Sequence, residues 1–166
     1  FRAGSPRSVS IAPEIDAAVD LAINGSFGGN LGETYAMTLP VGDKLTSIIL
    51  LGLGADRLSV RDIHTKAAPA FKQAKQLGAK HVAIMLDQVS ELSESFELFG
   101  ALARLPQLVG YTNSGLKSNP ENKSLEQITF VTAADGLDAA LREAVATARG
   151  TIIARRLCNL RSNEQT

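Results

Sequence analysis

The sequence has a single cysteine and no tryptophan, and aromatic residues make up only 5% of its 166 residues. One thiol, Cys158, cannot form an internal disulfide, so a disulfide-stapled secreted scaffold is excluded. This cysteine content is typical of a reducing compartment, and we predict a cytoplasmic protein, with an organelle as the alternative. For Cys158 itself we expect a buried structural role, because no base stands beside it at a recognisable spacing.

The chain also has no net charge, because its 17 basic residues balance its 17 acidic ones. A balanced chain lacks the basic field that draws nucleic acid, and no apolar run approaches the roughly 18 residues that span a bilayer. We therefore expect neither a nucleic-acid partner nor a membrane partner. The charges are unevenly spread: Asp87–Glu97 holds four acids and no base, and Arg149–Arg161 holds four arginines and no acid. We expect both stretches to be solvated helix faces or ends.

The common motifs of catalysis and cofactor binding are absent. No Gly-x-Ser-x-Gly elbow is present, and Gly52 and Gly54 lack both the third glycine of a dinucleotide fingerprint and the Lys-Ser/Thr of a P-loop. His64 and His81 have no second ligand at metal-binding spacing. The segment NGSFGGNLGE, residues 24–33, has the glycines of an anion-binding loop, although a loose connection is the better interpretation. The residues alone therefore predict no catalytic, cofactor-binding or metal-binding site.

Apolar runs predict the strands of a sheet. These runs are TSIILLGLG at 46–54, KHVAIMLD at 80–87 and EQITFVTA at 126–133. The first is typical of a strand buried on both faces, and YAMTLP at 35–40 predicts a strand beside the central ones. A helical stripe lies between the first two runs, so residues 46–87 are expected to form one β-α-β unit with parallel strands. The predicted fold class is α/β, a three-layer arrangement of a mainly parallel or mixed sheet with helices on both faces.

Apolar residues at helical spacing predict a short helix in PEIDAAVDLAI and a second helix over 59–78. In the second helix Ser59 and Asp62 have the pattern of a capping box, and Gly78 suits the C-terminus. Pro69 should kink that helix or shift its start.

Two further helices are predicted, one through the 90s and one from Asp135 onward. We expect Pro106 to break the former and Asp135 to cap the latter. Gly150 interrupts the last helix at a cost of about 1 kcal/mol, which a closely packed neighbouring element would justify. Residues 113–124, NSGLKSNPENKS, are expected to form a polar loop.

Three segments carry a resemblance to a known family. The apolar strand ends in Gly52-Leu53-Gly54, Tyr111 is followed six residues later by Lys117-Ser118, and residues 154–159 read ARRLCN. In this order and spacing the segments resemble the N-terminal domain of the leucyl aminopeptidase (cytosol aminopeptidase) family of metallopeptidases, in which an Ala-Arg-Asp-Leu-Val-Asn sequence ends the helix between two domains. Arg156, Arg161 and Asn113 depart from the family pattern.

The resemblance implies a macro-domain-like fold and a division into residues 1–150, a non-catalytic N-terminal domain, and 151–166, the end of an interdomain helix and a linker. It also implies a C-terminal catalytic domain, absent from this chain, that holds two divalent metals (Zn, Mn or Mg) and removes N-terminal residues from peptides. The implied partners are that domain, the other subunits of a homohexamer, and peptide substrates that bind only through the missing domain. Because Phe1 is not methionine, we expect a processed or truncated N-terminus. This chain alone is predicted to be inactive.

Two other interpretations remain open. The chain could be a free-standing macro-like module that binds ADP-ribose or another nucleotide through its glycine-rich loops. Alternatively, it could be an assembly subunit without peptidase activity.

Overall fold

The computed structural model describes residues 1–2, 10–111 and 125–159 of the chain. Helices and strands are mixed along the sequence. In chain order they are α1 (Pro13–Gly25), β1 (Thr34–Val41), β2 (Lys44–Leu51), α2 (Val60–Asp62), a π-helical segment (Ile63–Ala67), α3 (Ala68–Gln76), β3 (His81–Met85), α4 (Ser90–Glu94), α5 (Phe96–Gly110), β4 (Gln127–Val131) and α6 (Leu137–Asn159). The expected loop at 113–124 lies outside the described residues.

The first part of the fold is a β-hairpin covered by a helix. β1 and β2 are antiparallel, with Thr34 opposite Leu51 and Val41 opposite Lys44. Their connection is only Gly42–Asp43, and so short a connection permits only antiparallel pairing. The stripe Ile15, Val19 and Ala22 of α1 is buried together with Phe27 and Leu50, which forms the smaller of two apolar cores.

The second part surrounds α5. β3 and β4 are parallel, with His81 opposite Gln127 and Met85 opposite Val131. The Phe99 ring of α5 meets the Phe130 ring of β4 edge-on at a centroid distance of 5.1 Å. Each of these parallel strands leads into a helix that packs back on the fold, α5 after β3 and α6 after β4, so α5 and α6 run in the same direction. The α/β class is confirmed, with strands in two small sheets.

The helix predicted over 59–78 is confirmed, including both of its ends. Ser59 and Asp62 form the expected capping box, in which each side chain bonds to the other residue's backbone N–H. Gly78 has a φ of +74°, and the N–H of Ala79 reaches back to the Ala74 carbonyl, as at a glycine-terminated helix. Pro69 stands in the first turn of α3, directly after the wider π-helical segment, so it shifts the start of α3 as expected.

The pairing expected for residues 46–54 is wrong. β2 lies in the hairpin with β1, and β3 lies in a different sheet with β4, so 46–87 is not one parallel β-α-β unit. Burial on both faces is wrong as well, since Leu50 is the only buried residue of β2. The local hairpin connection decides the partner of β2, because a strand two residues away pairs at little entropic cost.

Expectations for the last two helices are partly overturned. α5 runs through Pro106 to Gly110. Pro106 is buried, and its neighbour Leu105 belongs to the larger apolar core around α5, so their burial offsets the lost backbone hydrogen bond. α6 begins at Leu137, two residues after the expected cap Asp135, and continues unbroken through Gly150. No described atom outside the helix lies within 4 Å of a Cβ built on Gly150, so the close packing expected there is not found.

None of the helices in the described ranges has the length and hydropathy needed to cross a membrane.

Candidate functional site

The two glycine-rich segments that the sequence singles out pack against each other. We call residues 27–33 and 51–54 the glycine junction. The Gly32 N–H donates to the Gly52 carbonyl at 2.8 Å, and the Gly52 N–H donates to the Glu33 carbonyl at 2.7 Å. The Gly54 N–H donates to the Gly29 carbonyl at 2.9 Å. Backbone pairing therefore joins the segment before β1 to the end of β2.

Gly52 is the position where the two backbones approach most closely. A Cβ there would lie 2.7 Å from the carbonyl carbon of Gly29 and would overlap the Asn30 carbonyl oxygen. Only glycine fits without moving one of the segments. Gly54 adds a φ of +69°, which glycine adopts without the strain that other residues meet.

The Glu33 side chain occupies the amides of the junction. Its carboxylate accepts from the Gly28 N–H at 3.0 Å, from the Asn30 N–H at 2.9 Å and from Asn30 Nδ2 at 3.1 Å. These bonds, the one from Gly28 first, lower the pKa of Glu33 below its ordinary value. The interpretation of residues 24–33 as a loose connection is wrong for this part, because successive amides do form an anion-binding turn whose anion is the chain's own carboxylate.

The first two residues also pack on the junction. The amino group of Phe1 donates to the Leu51 carbonyl at 2.7 Å, and the Phe1 carbonyl accepts from the Leu53 N–H at 2.7 Å. The Phe1 ring meets the Phe27 ring edge-on at 6.2 Å.

The acidic stretch Asp87–Glu97 divides into bound and exposed carboxylates. Asp87 accepts from Thr132 Oγ1 at 2.7 Å and from the Ala133 N–H at 2.8 Å, which ties the ends of β3 and β4 together. Glu91 accepts from the Leu58 N–H at 3.1 Å and pairs with Arg2. Solvent exposure is therefore wrong for Asp87 and Glu91, because each satisfies a backbone N–H, and it is confirmed for Glu94 and Glu97.

The histidines and the cysteine lie apart. His64 is half-buried in the π-helical segment, where burial and the nearby Arg104 lower its pKa. His81 bonds to Gln127 across the two parallel strands at 3.1 Å. Cys158 is exposed near the end of α6, so its expected burial is wrong, because the last turns of that helix extend past the core. Among the described residues no three His, Cys, Asp or Glu side chains form a group that would hold a metal ion.

The ends of α5 and α6 meet at two residues that lie in the resemblance segments. Asn159 Nδ2 donates to the Tyr111 hydroxyl at 3.2 Å. Lys117, Ser118 and Arg161 lie outside the described residues. Two segments noted separately in the sequence are thus neighbours in the fold.

Sequence reasoning missed Glu33, although it considered the glycines beside it. The missed signal is a carboxylate that closes a glycine-rich segment, five residues after Gly28 and three after Asn30. Such a residue can reach back to the amides of its own loop.

Comparison with known protein families identifies the family of this chain. The model of the cytosol aminopeptidase family, N-terminal domain, matches residues 14–120. No curated protein sequence matches the chain. The chain therefore belongs to the cytosol aminopeptidase family and represents its N-terminal domain.

Solved structures support the same fold. A mutant of tomato leucine aminopeptidase superposes with a TM-score of 0.72 at 22% identity, covering 90% of this chain and 31% of that one. The bottromycin maturation enzyme BotP, in complex with Mn, gives 0.67 at 17% identity, covering 100% of this chain and 32% of that one. A second structure of BotP superposes with a TM-score of 0.68 at 17% identity, covering 100% of this chain and 33% of that one. The chain spans about a third of the length of these relatives, and the likenesses establish its fold.

Proposed function

We propose that this chain is the non-catalytic N-terminal domain, with an assembly or regulatory role, of a leucyl aminopeptidase. The observation that carries the proposal is the family match over residues 14–120 in a chain that spans about a third of its solved relatives. The parent polypeptide removes N-terminal residues from peptides by two-metal hydrolysis in its catalytic domain, where a metal-activated water is the nucleophile. We propose a cytoplasmic homohexamer for this parent.

The contacts of the described carboxylates support a non-catalytic domain. The carboxylates of Glu33, Asp87 and Glu91 are each used to bind backbone N–H groups of their own chain. Neither histidine lies in a metal-binding group of the described residues. We propose that the two divalent metals of this reaction, Zn, Mn or Mg, are held by the catalytic domain, as the family resemblance implies.

The test is the intact mass of the native polypeptide together with its hydrolysis of leucyl-p-nitroanilide in the presence of added manganese or zinc. We expect a species far heavier than 17.5 kDa that cleaves the substrate. The matched control is the 166-residue chain alone, which should show no hydrolysis under the same conditions. A native species of 17.5 kDa without activity would contradict the proposal and favour an independent assembly subunit.

The alternative of a macro-like module that binds ADP-ribose has less support. Its candidate loop is the glycine junction, where the Gly28 and Asn30 amides already bind Glu33. A diphosphate would have to displace a carboxylate that is held by three hydrogen bonds. Calorimetric titration with ADP-ribose decides the matter, since a dissociation constant below about 100 μM would favour this alternative.

A further inference from the structure

The end of α1 presents an asparagine-glycine pair to solvent. Asn24 and Gly25 are the last two residues of that helix, and both are exposed. Within the described ranges the Asn24 side chain makes no hydrogen bond. No described atom outside the helix end itself lies within 4 Å of a Cβ built on Gly25. The pair is therefore open to solvent and is not held by side-chain contacts.

An asparagine followed by glycine carries its own nucleophile. The backbone nitrogen of Gly25 attacks Cγ of Asn24, the N–Cγ bond forms, and Nδ2 leaves as ammonia with the proton that the Gly25 nitrogen gives up. Water then opens the resulting five-membered imide at one of its two carbonyls. Opening at Cγ gives aspartate, and opening at the main-chain carbonyl gives isoaspartate, in which the backbone runs through the side chain. The sum of the steps consumes one water and releases one ammonia.

The place of the pair in the helix decides whether this chemistry is accessible. A closed helical turn keeps the Gly25 nitrogen away from Asn24 Cγ, so the turn has to open first. Helix ends open most readily, and Gly25 is the last helical residue. The turn is closed beyond it by the N–H groups of Ser26 and Phe27, which donate to the Ala22 carbonyl at 3.1 and 2.9 Å. Neither Asn24 nor Gly25 belongs to an apolar core.

We propose that Asn24 is a site of spontaneous deamidation in the folded chain, and that the products loosen the connection from α1 to the glycine junction. Isoaspartate adds one methylene group to the backbone directly before Gly25. Phe27, which is buried against α1, follows only two residues later. The longer backbone therefore disturbs both the turn at Ala22 and the burial of Phe27.

Both products also add a negative charge at an unfavourable place. The carbonyl end of a helix is the negative end of its dipole. Asp20 lies one turn earlier on the same face, and the last turn of α1 holds no basic residue. The new carboxylate is thus opposed by the helix and by a like charge.

The proposal concerns the 166-residue chain and does not depend on the aminopeptidase assignment. It is tested by incubating the folded chain at mildly alkaline pH and mapping its peptides by mass spectrometry. We expect the peptide that contains Asn24 to gain about 1 Da and to divide into two isomers, one of which is a substrate of isoaspartyl methyltransferase. Asn30 is the internal control, because it precedes leucine and its side chain is bonded to Glu33, and it should stay unmodified.

A urea-unfolded sample, incubated in parallel, separates the reactivity of the pair from its accessibility in the fold. An Asn24 peptide that keeps its mass in the folded chain but gains mass in the unfolded one overturns the proposal, since the helix end then protects the pair. Unchanged mass in both samples overturns it as well.

Gly25→Ala tests the attacking nitrogen without altering Asn24. A methyl group has room at this position, so the fold should be kept, but it hinders the approach of the nitrogen. We expect the rate of modification at Asn24 to fall by about tenfold or more. The matched control is Gly150→Ala, the same replacement after an arginine, which should leave the rate at Asn24 unchanged. Equal rates in Gly25→Ala and the unsubstituted chain overturn the proposed attack.

The effect of the products on the fold is measured on the modified fraction, which ion exchange separates because of its additional negative charge. We expect this fraction to melt below the fresh chain. Asn24→Asp, which adds the charge without the methylene group, should give a smaller decrease. Gly25→Ala incubated in the same way should keep its melting temperature, which excludes other chemical damage as the cause. A modified fraction that melts with the fresh chain overturns the proposed loosening.

Discussion

Asn159 donates a hydrogen bond to the Tyr111 hydroxyl, and this contact joins the last residue of α6 to the residue that follows α5, 48 positions earlier in the chain. The contact agrees with the parallel direction of the two helices, which follows from the parallel pairing of β3 and β4. It also brings together two of the segments that carry the family resemblance. This bond links the end of α6 to the end of α5, although the last turns of α6 lie beyond the core.

Replacement of Gly52 by alanine tests the glycine junction. We expect Gly52→Ala to destabilise the fold by about 2 kcal/mol, because the added methyl group overlaps the backbone of Gly29 and Asn30 and neither segment can move without breaking hydrogen bonds. Urea unfolding followed by circular dichroism measures the change.

The control for that substitution is Gly25→Ala at the end of α1. No described atom lies within 4 Å of a Cβ built there, so stability should stay the same or increase slightly. Equal losses in the two variants would contradict the close approach at Gly52.

Replacement of Gly150 by alanine should stabilise the protein by up to about 1 kcal/mol, since the residue lies inside α6, is exposed and has room for a methyl group among the described atoms. The melting temperature should rise accordingly. A loss of stability would show that another part of the chain or a partner packs closely on Gly150.

The Glu33 carboxylate gives a stability that depends on pH. Its pKa is lowered in the folded state, so its contribution is fully present above the ordinary glutamate pKa of about 4.3 and is lost as the pH falls through the lower, folded value. At pH 7 we expect Glu33→Gln to melt below the unsubstituted chain, because a neutral amide binds the Gly28 and Asn30 amides less strongly.

The difference between Glu33→Gln and the unsubstituted chain should shrink as the pH is lowered through and below about 4, where Glu33 itself becomes protonated. Glu143→Gln, an exposed position on α6, is the control and should show little difference at either pH. A Glu33→Gln difference that stays constant between pH 7 and pH 3 would argue against the bonds to the carboxylate.

Replacement of Glu91 tests the contact by which this residue of α4 holds both Arg2 and the loop after β2. We expect Glu91→Gln to cost about 1–2 kcal/mol, because it loses the ion pair with Arg2 and weakens the acceptor for the Leu58 N–H. Glu94→Gln, exposed on the same helix, should change the free energy of unfolding by less than about 0.5 kcal/mol. Chemical denaturation of the two variants side by side makes the comparison, and equal effects would contradict a structural role for Glu91.

The sequence by itself determined the local features of this protein. Ser59 and Asp62 predict a capping box and Gly78 predicts a helix end, because caps depend on residues three or four positions apart. The apolar runs at 80–87 and 126–133 predict β3 and β4 from composition alone. The order of the resemblance segments predicts the family, which the match over 14–120 confirms.

Tertiary structure decided everything that depends on residues distant in sequence. The core holds α5 together through Pro106, because packing outweighs the tendency of proline to break a helix. The pairing of β2 with β1 is different, since the two-residue connection that decides it is local in sequence and was missed there. The sequence shows the glycines of the junction, but it does not show why glycine is required there. Gly52 has to be glycine because the backbone of residues 29 and 30 lies against it, and the amides beside Glu33 are occupied because its side chain folds back onto them.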